Sequence, residues 1–295
     1  FFVSLEDMKK EISVAGHIFR VVLPDDSPLW AEMGQYDPFY VESDAPIFEL
    51  DLVDELPTME KTLYFDQPTE PGETKIVIYR CAEDWYFESS PTSSRPVSMK
   101  LWANSDFTLS KLLIACPSES LFAINNAMML QYAFRTAGMN TLEMHASVIE
   151  NGGKGYLFLA KSGTGKSTHS KMWLRNIPDS HLLNDDNPIV RVLEDGSVRV
   201  YGSPWSGKTP CYKNLDYPVG AMVQIVRAPF NKATRLGAIN SYAQVYSSSS
   251  GIKFDPQMGD ALHDTINKVV VGVKCFTLQC LPDADAAKVC YEAVK

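Results

Sequence analysis

The sequence carries little positive charge. Lys and Arg total 27 against 36 Asp and Glu, which gives a formal net charge of −9 and a pI near 5.1. Affinity for a nucleic-acid backbone comes from clustered Lys and Arg that displace counterions. We therefore expect no nucleic-acid partner, whereas a small anion in a local pocket is compatible with this composition.

Long apolar runs are also missing. The sequence contains no run of about 18 apolar residues, the length that would predict a membrane span. Its first residues, FFVSLEDMKKEI, lack the charged-then-apolar layout of a secretion signal. The expectation is a cytoplasmic protein with no membrane partner.

The cysteines lack a metal-binding pattern. None of the 6 lies in a C-x-x-C pair, and none is spaced with a histidine as in zinc sites. Reduced thiols without a special role are expected. Among the histidines, a structural or surface role is expected for His17, His169, His181 and His263; His145 is treated separately below.

The pattern of predicted secondary structure changes near residue 105, which predicts two domains. The 295 residues are 45% hydrophobic and 21% charged, an ordinary globular composition long enough for two domains. In residues 1–105, short strand-like runs such as TKIVIYRC and DWYFESS are separated by turn residues, which predicts an antiparallel meander. We expect this β-rich N-terminal region to be a candidate specificity element.

Residues 106–295 predict an α/β unit, so that the whole chain is α+β. Helical apolar spacing extends over 107–139, with Gly138 as the expected stop, and strands and helices alternate from there. The serine run at 247–250 is expected to be a loop. The last residues predict a strand followed by an amphipathic helix after Pro282.

The stretch LFLAKSGTGKSTHSKMW, residues 157–173, has the pattern of a phosphate-binding loop (P-loop) between a strand and a helix. Ala160 replaces the first glycine of G-x-x-x-x-G-K-[ST], at a strand exit where a methyl group fits if the backbone keeps ordinary β angles. The two later glycines permit crowded backbone angles, and the lysine supplies a cation for the terminal phosphates. The candidate nucleotide-binding residues are Ser162, Gly163, Thr164, Gly165, Lys166, Ser167 and Thr168.

An acidic pair follows the loop at short range. SHLLNDDNPIV ends an apolar strand in Asp185 and Asp186, the first of them 19 residues after Lys166. Neighbouring side chains of a strand point to opposite faces, so one carboxylate can face a metal and phosphates while the other faces an acceptor hydroxyl or a water. A plain turn beginning at Asp-Asp-Asn-Pro is the alternative.

These motifs resemble the superfamily that unites HPr kinase/phosphorylase with phosphoenolpyruvate carboxykinase. The resemblance is carried by the loop AKSGTGKST, the return to LLNDDNP and the strand MHASVI, over about residues 143 to 190. It implies a P-loop nucleotide-binding domain that holds Mg²⁺ with ATP or another NTP through Gly163, Gly165, Lys166, Ser167 and Thr168. It also implies that the acidic pair lies beside the transferred phosphoryl group.

The resemblance and strand geometry together suggest roles. We expect Asp186 to join Ser167 at the metal and Asp185 to accept the proton of the acceptor. His145 matches a histidine that the kinase members carry on the strand before the loop, close to the acidic pair. A hydrogen-bonded core histidine is the alternative.

Two further features are compatible with the same site. The segment YGSPWSGKTPCYKN, residues 201–214, sets Trp205 beside Lys208 and is either a loop that closes on an anion or peptide, or a plain connection. Arg227 and Arg235 flank the turn APFNKAT and are candidates for a charge-neutralising arginine, although surface positions are the favoured interpretation.

Three functions are compatible with the sequence. The leading one is a Mg-ATP-dependent kinase acting on a hydroxyl of an unidentified protein, peptide or small molecule. The second is a carboxykinase-like lyase, for which no residues match the additional metal ligands and the dicarboxylate pocket. The third is a nucleotide-binding module without transfer chemistry.

Overall fold

The computed structural model describes residues 7–161, 163–207 and 209–295, except for the side chain of Gln257. Contacts divide the chain into unit 1, which ends at Arg135, and unit 2, Thr136–Lys295. The predicted boundary at residues 105 and 106 falls within unit 1, in the turn between two paired strands. A specificity role for residues 1–105 stays a prediction.

Unit 1 is built on a mixed nine-stranded sheet. Its strands are β1 (Asp7–Val14), β2 (His17–Pro24), β3 (Tyr40–Val41), β4 (Glu49–Leu52), β5 (Thr62–Asp66), β6 (Lys75–Cys81), β7 (Asp84–Ser90), β8 (Met99–Ala103) and β9 (Leu109–Ile114). Their order is β3-β1-β2-β4-β9-β8-β7-β6-β5, and β5 to β9 form an antiparallel meander. The meander that the turn-separated runs predict is present.

The helices of this part of the chain are α1 (Leu29–Glu32) and α2 (Ser120–Thr136). The helical spacing predicted over 107–139 is wrong in its first part, where β9 lies instead. Ser110 and Leu112 are buried between more exposed neighbours, a period of two that suits a sheet face. The end of α2 agrees with the expected stop near Gly138.

Unit 2 contains the second nine-stranded sheet. Its strands are β10 (Thr141–Glu143), β11 (Ala146–Asn151), β12 (Lys154–Leu159), β13 (His181–Asp186), β14 (Ile189–Val192), β15 (Val198–Tyr201), β16 (Asp216–Arg227), β17 (Lys232–Arg235) and β18 (Cys275–Cys280). The main path is β10-β14-β15-β16-β12-β11-β13, and β18 pairs with β16 and β17. Since β12, β16 and β18 are parallel neighbours, the fold is mixed α/β with large sheets.

The helices of unit 2 are α3 (Lys166–Asn176), α4 (Ala238–Ser248), α5 (Pro256–Gly272) and α6 (Ala284–Val294). On one face of the sheet, Leu157 joins a core cluster with Ile266 of α5. On the other face, Phe158 joins a cluster with Trp173 of α3 and Cys290 of α6. Strand β12 is therefore buried on both faces, which fixes the point where the following loop begins.

Most local predictions in unit 2 are confirmed. The strand before the loop, the helix after it, the strand that ends in the acidic pair, and the C-terminal strand and helix are all present. The prediction of a loop for the serine run at 247–250 is wrong in its first half, because Ser247 and Ser248 belong to the last turn of α4. The hydroxyl of Ser247 donates to the carbonyl oxygen of Gln244, 2.9 Å away, and this bond satisfies it within the helix.

Two structural observations concern apolar segments and cysteines. Among the described residues, no helix combines the length and the apolar character needed to cross a bilayer. The cysteines are free thiols, and all but Cys116 are buried.

Candidate functional site

The candidate site is built around the glycine loop, which we define as the residues from Ala160 to Lys166. Gly163 and Gly165 have φ angles of 71° and 130°, values that L side chains rarely adopt, so both positions require glycine. Ala160 is buried at the strand exit, which shows that a methyl group fits where the pattern has its first glycine. The predicted ligand Ser162 lies outside the described residues.

Lys166 begins α3, and its side chain points back into the protein. The residue is 9% exposed, and its Nζ lies 2.6 Å from Nε2 of His145 and 3.3 Å from the carbonyl oxygen of Ala160. Burial lowers the pKa of the amine, while the charges of Asp186 and Asp185 act in the opposite direction. The lysine of the loop is therefore held beside the histidine and the acidic pair that the sequence singles out.

Ser167 contacts the first acid of the pair. Its hydroxyl donates to the carboxylate of Asp185, 3.0 Å from Oδ1 and 3.3 Å from Oδ2. Asp185 is buried close to the end of β13, whereas Thr168, the next residue of α3, is exposed. A hydroxyl and a carboxylate side by side at a helix N-terminus are oxygen ligands of the kind that Mg²⁺ prefers.

Asp186 contacts a different group. Its Oδ1 lies 3.2 Å from Nε2 of His145, and the two side chains are 39% and 43% exposed. Its φ of 147° is uncommon for a residue other than glycine and turns it out of regular strand geometry. The carboxylates thus face different partners, as strand alternation predicts, but Ser167 pairs with Asp185 and not with Asp186 as expected.

A segment that we call the strap, residues 202–207 and 209–211, lies against the backbone of the acidic pair. Ser206 forms an isolated antiparallel bridge with Asp186, and the N–H of Gly207 donates to the carbonyl oxygen of Asp185. A Cβ atom on Gly207 would lie 2.8 Å from that oxygen and 3.1 Å from Cβ of Asp186. Only glycine permits this approach, so the strap constrains where the two acids sit.

The strap belongs to the segment 201–214 for which the sequence leaves two interpretations open. Trp205 is buried, and its carbonyl oxygen accepts a hydrogen bond from Nδ2 of Asn184, 3.1 Å away. The tryptophan therefore anchors the segment to β13. Lys208 lies outside the described residues.

Arg227 lies on the outer side of the glycine loop. Its Nε donates to the carbonyl oxygen of Thr164, 3.1 Å away, and its Nη2 donates to that of Gly163, 2.6 Å away. The guanidinium therefore bridges two carbonyl groups of the glycine loop. Arg235, the other arginine candidate, is an exposed residue of β17 opposite Phe276, at the far end of β18 from the loop.

Glu143 is a buried acid that the sequence analysis missed. Its Oε1 accepts from the hydroxyl of Ser250, 3.4 Å away, and among the described residues its Oε2 has no hydrogen-bond partner. Burial raises the pKa of the carboxyl to about 8, and the charge of Asp186 adds to the effect. Glu143 lies two positions before His145, and residues at this spacing in an extended segment face the same side. This spacing is the sequence signal that could have identified Glu143.

A cavity of about 520 Å³ opens beside the glycine loop. Its lining includes Thr164 of the glycine loop, Thr168 and Met172 of α3, and Ala228 and Leu281 from later segments of the chain. Volumes of about 300 to 1,000 Å³ are typical of small-molecule sites. The cavity was not predicted, because its walls come from segments far apart in the sequence.

Comparisons with known proteins were made for sequence and for structure. No family model matches the chain, and no curated protein matches its sequence. In structure the chain is similar to the HPr(Ser) kinase/phosphatase from Coxiella burnetii, with a TM-score of 0.29 and 10% sequence identity. The similarity covers 51% of this chain and 95% of that chain.

Proposed function

We propose that unit 2 is a Mg²⁺- and NTP-dependent phosphotransferase, a kinase whose acceptor is a hydroxyl on a protein, peptide or small molecule. The observation that supports this most strongly is the convergence of Nζ of Lys166, at 2.6 Å, and Oδ1 of Asp186, at 3.2 Å, on one ring nitrogen of His145, Nε2. The Ser167–Asp185 pair lies next to this group. Phosphoryl transfer needs a cation that binds the phosphates, ligands for a metal ion, and a carboxylate near the acceptor. Lys166, the Ser167–Asp185 pair and Asp186 are the candidates for these three roles.

The glycine loop would hold the phosphates. Its positive-φ glycines and the N-terminus of α3 direct backbone N–H groups and a partial positive charge to the same place, an arrangement that favours anions. Lys166 adds a cation there. Arg227 supports the same geometry by holding the carbonyl groups of the loop on its outer side.

Ser167 and Asp185 fit a magnesium ion. They are adjacent oxygen ligands, and within the described part of the chain no three His, Cys, Asp or Glu side chains gather as a ready metal site, so phosphate oxygens would supply further ligands. Mg²⁺, when bound, would neutralise charge on the phosphates. We therefore assign the metal to Asp185 and not to Asp186, reversing the order that the sequence suggests.

Asp186 would serve the acceptor. Its carboxylate is more exposed than that of Asp185 and is oriented by His145. The acceptor oxygen forms a bond to the terminal phosphorus while the bond from that phosphorus to the bridging oxygen breaks, and Asp186 takes the hydroxyl proton. Most of the catalysis comes from positioning and charge neutralisation.

One assay separates this proposal from the alternatives. Purified protein is incubated with γ-labelled ATP, Mg²⁺ and candidate acceptors, which are cell-extract proteins and hydroxylated metabolites. The Asp186→Asn variant is the matched control. Label transfer by the wild type that is lost in the control supports a kinase. Nucleotide turnover only with oxaloacetate would support the lyase, and ATP binding without transfer would support a binding module.

A further inference from the structure

The cavity beside the glycine loop continues the proposed phosphate site on the side away from the acceptor. Its described lining includes Thr164, Gly165 and Thr168 but neither Asp185 nor Asp186. If the terminal phosphate lies at Lys166 and Ser167, the other end of the nucleotide leaves the loop along the first turns of α3. The cavity is where that end would go.

Three lining positions, Ala228, Leu281 and Pro282, offer no free backbone N–H to a base. The N–H of Ala228 donates to the carbonyl oxygen of Cys280, 3.1 Å away, and the N–H of Leu281 donates to Oδ1 of Asn231, 2.8 Å away. Pro282 has no N–H. At these three positions the donors that commonly bind a purine edge are therefore already used or missing.

The side chains of the wall are also poorly suited to reading a base. Met172, Ile225, Ala228, Leu281 and Pro282 present carbon and sulfur atoms, and none of the described lining residues carries a carboxylate or a carboxamide. Carboxamides are among the groups that distinguish adenine from guanine by paired hydrogen bonds.

The polar side chains of the lining either lie at its phosphate end or are engaged elsewhere. Thr164 of the glycine loop and Thr168 of the first turn of α3 are next to the proposed phosphate site. The guanidinium of Arg227 is bonded to two carbonyl groups of the loop. His169 is buried, its Nε2 accepts from the indole of Trp173, 3.1 Å away, and burial lowers its pKa to about 4, so the ring is neutral. Neither residue is placed to test the edge of a base.

We infer that this cavity takes the nucleoside of the nucleotide and admits the base by shape alone, so that ATP and GTP serve this protein equally well. The inference rests on the proposed function and concerns the same site. An apolar slot still contributes affinity, because it removes the faces of the base and the carbon atoms of the wall from water.

Calorimetric titration with Mg-ATP, Mg-GTP and Mg-tripolyphosphate tests the inference. The Kd values of the wild type for ATP and GTP should agree within about threefold, less than one ordinary hydrogen bond would contribute. A preference for either nucleotide above about thirtyfold would overturn the inference, because discrimination of that size needs paired polar groups.

Filling the cavity provides the second arm. Ala228→Trp, and Met172→Trp on α3, should each weaken the binding of ATP and GTP by about tenfold or more and leave that of tripolyphosphate within about twofold, since only the nucleoside loses its place. Tripolyphosphate binding also shows that a variant is folded. Unchanged nucleotide binding by both variants, or loss of tripolyphosphate along with the nucleotides, would overturn the assignment.

These outcomes differ from a failure of the proposed function. If the wild type binds neither the nucleotides nor tripolyphosphate, the glycine loop is not a phosphate site. If the wild type binds all three and the tryptophan variants behave like it, the phosphate site stands and the nucleoside lies elsewhere.

Discussion

The amine of Lys166 and the imidazole of His145 are in direct contact, with 2.6 Å between Nζ and Nε2. The same ring nitrogen lies 3.2 Å from Oδ1 of Asp186, so it can accept from Lys166 when it is unprotonated and donate to Asp186 when it carries a proton. In a phosphotransferase these are the groups for the phosphate and for the acceptor. We therefore regard His145 as a positioning residue for both.

Replacing His145 tests this role. His145→Asn should lower kcat by about tenfold to a hundredfold and change the Kd for Mg-ATP little, because Lys166 can still reach the phosphates while Asp186 loses its orienting contact. Steady-state kinetics with an identified acceptor and calorimetry measure the two effects. His181→Asn, an exposed position on β13, is the control. An unchanged kcat would show that His145 does not position the reacting groups.

The acidic pair should separate metal use from chemistry. Asp185→Asn should weaken nucleotide binding only when Mg²⁺ is present, since it removes the charged member of the two proposed metal ligands, Ser167 and Asp185. Asp186→Asn should leave binding near wild type and lower turnover by about 10² to 10⁴, the range for losing a positioned proton acceptor. Titrations with and without Mg²⁺, together with kcat, measure both, and Asp260→Asn on the exposed side of α5 is the control. The opposite pattern would restore the order expected from the sequence.

The pair also shows what strand alternation can predict. Alternation requires that Asp185 and Asp186 face different partners, and they do. It does not say which partner each one meets, because that depends on the unusual φ of Asp186 and on the strap, whose Ser206 and Gly207 come from 20 residues further along the chain. Local sequence patterns predict the loop, its helix and the acid-bearing strand because each of these is a short continuous segment. They do not predict contacts between residues that are far apart in the sequence.

Glu143 should make the stability of the fold depend on pH. In the unfolded chain the carboxyl has its ordinary pKa of 4.5, whereas burial in the folded chain raises its pKa to about 8. Its protonated form thus stabilises the fold fully below 4.5, and this contribution is lost as the pH rises to about 8, at up to about 1.4 kcal/mol per pH unit.

Glu143→Gln should remove that dependence. Urea unfolding at pH 5 and pH 8 should show that the wild type loses more free energy of unfolding between the two than the variant does. Glu194→Gln, at an exposed turn, should behave like the wild type. Equal losses in the wild type and Glu143→Gln would show that the buried carboxyl is ionised in the folded protein.

The strap makes a separate prediction. Gly207→Ala adds a Cβ atom 2.8 Å from the carbonyl oxygen of Asp185, so the strap or the acids must move. We expect kcat to fall by about tenfold or more and Mg²⁺-dependent ATP binding to weaken as well, because the added atom meets both the proposed metal ligand and the proposed proton acceptor, and a displacement of about 1 Å in an active site is costly. Gly237→Ala is the matched control, since its φ is −78° and nothing lies within 4 Å of the added atom. Wild-type kinetics in Gly207→Ala would mean that the strap is a connection only.

Calorimetric titration of Mg-ATP into the wild type and Lys166→Ala tests the central claim most directly. The wild type should bind, and the variant should bind at least about a hundredfold more weakly, because it lacks the cation that meets the phosphates in a partly desolvated site. Ala160→Gly, at the loop position where the pattern departs, should keep near wild-type affinity. Equal ATP binding by the wild type and Lys166→Ala would contradict the assignment of residues 160–168 as a phosphate site, and with it the proposed kinase.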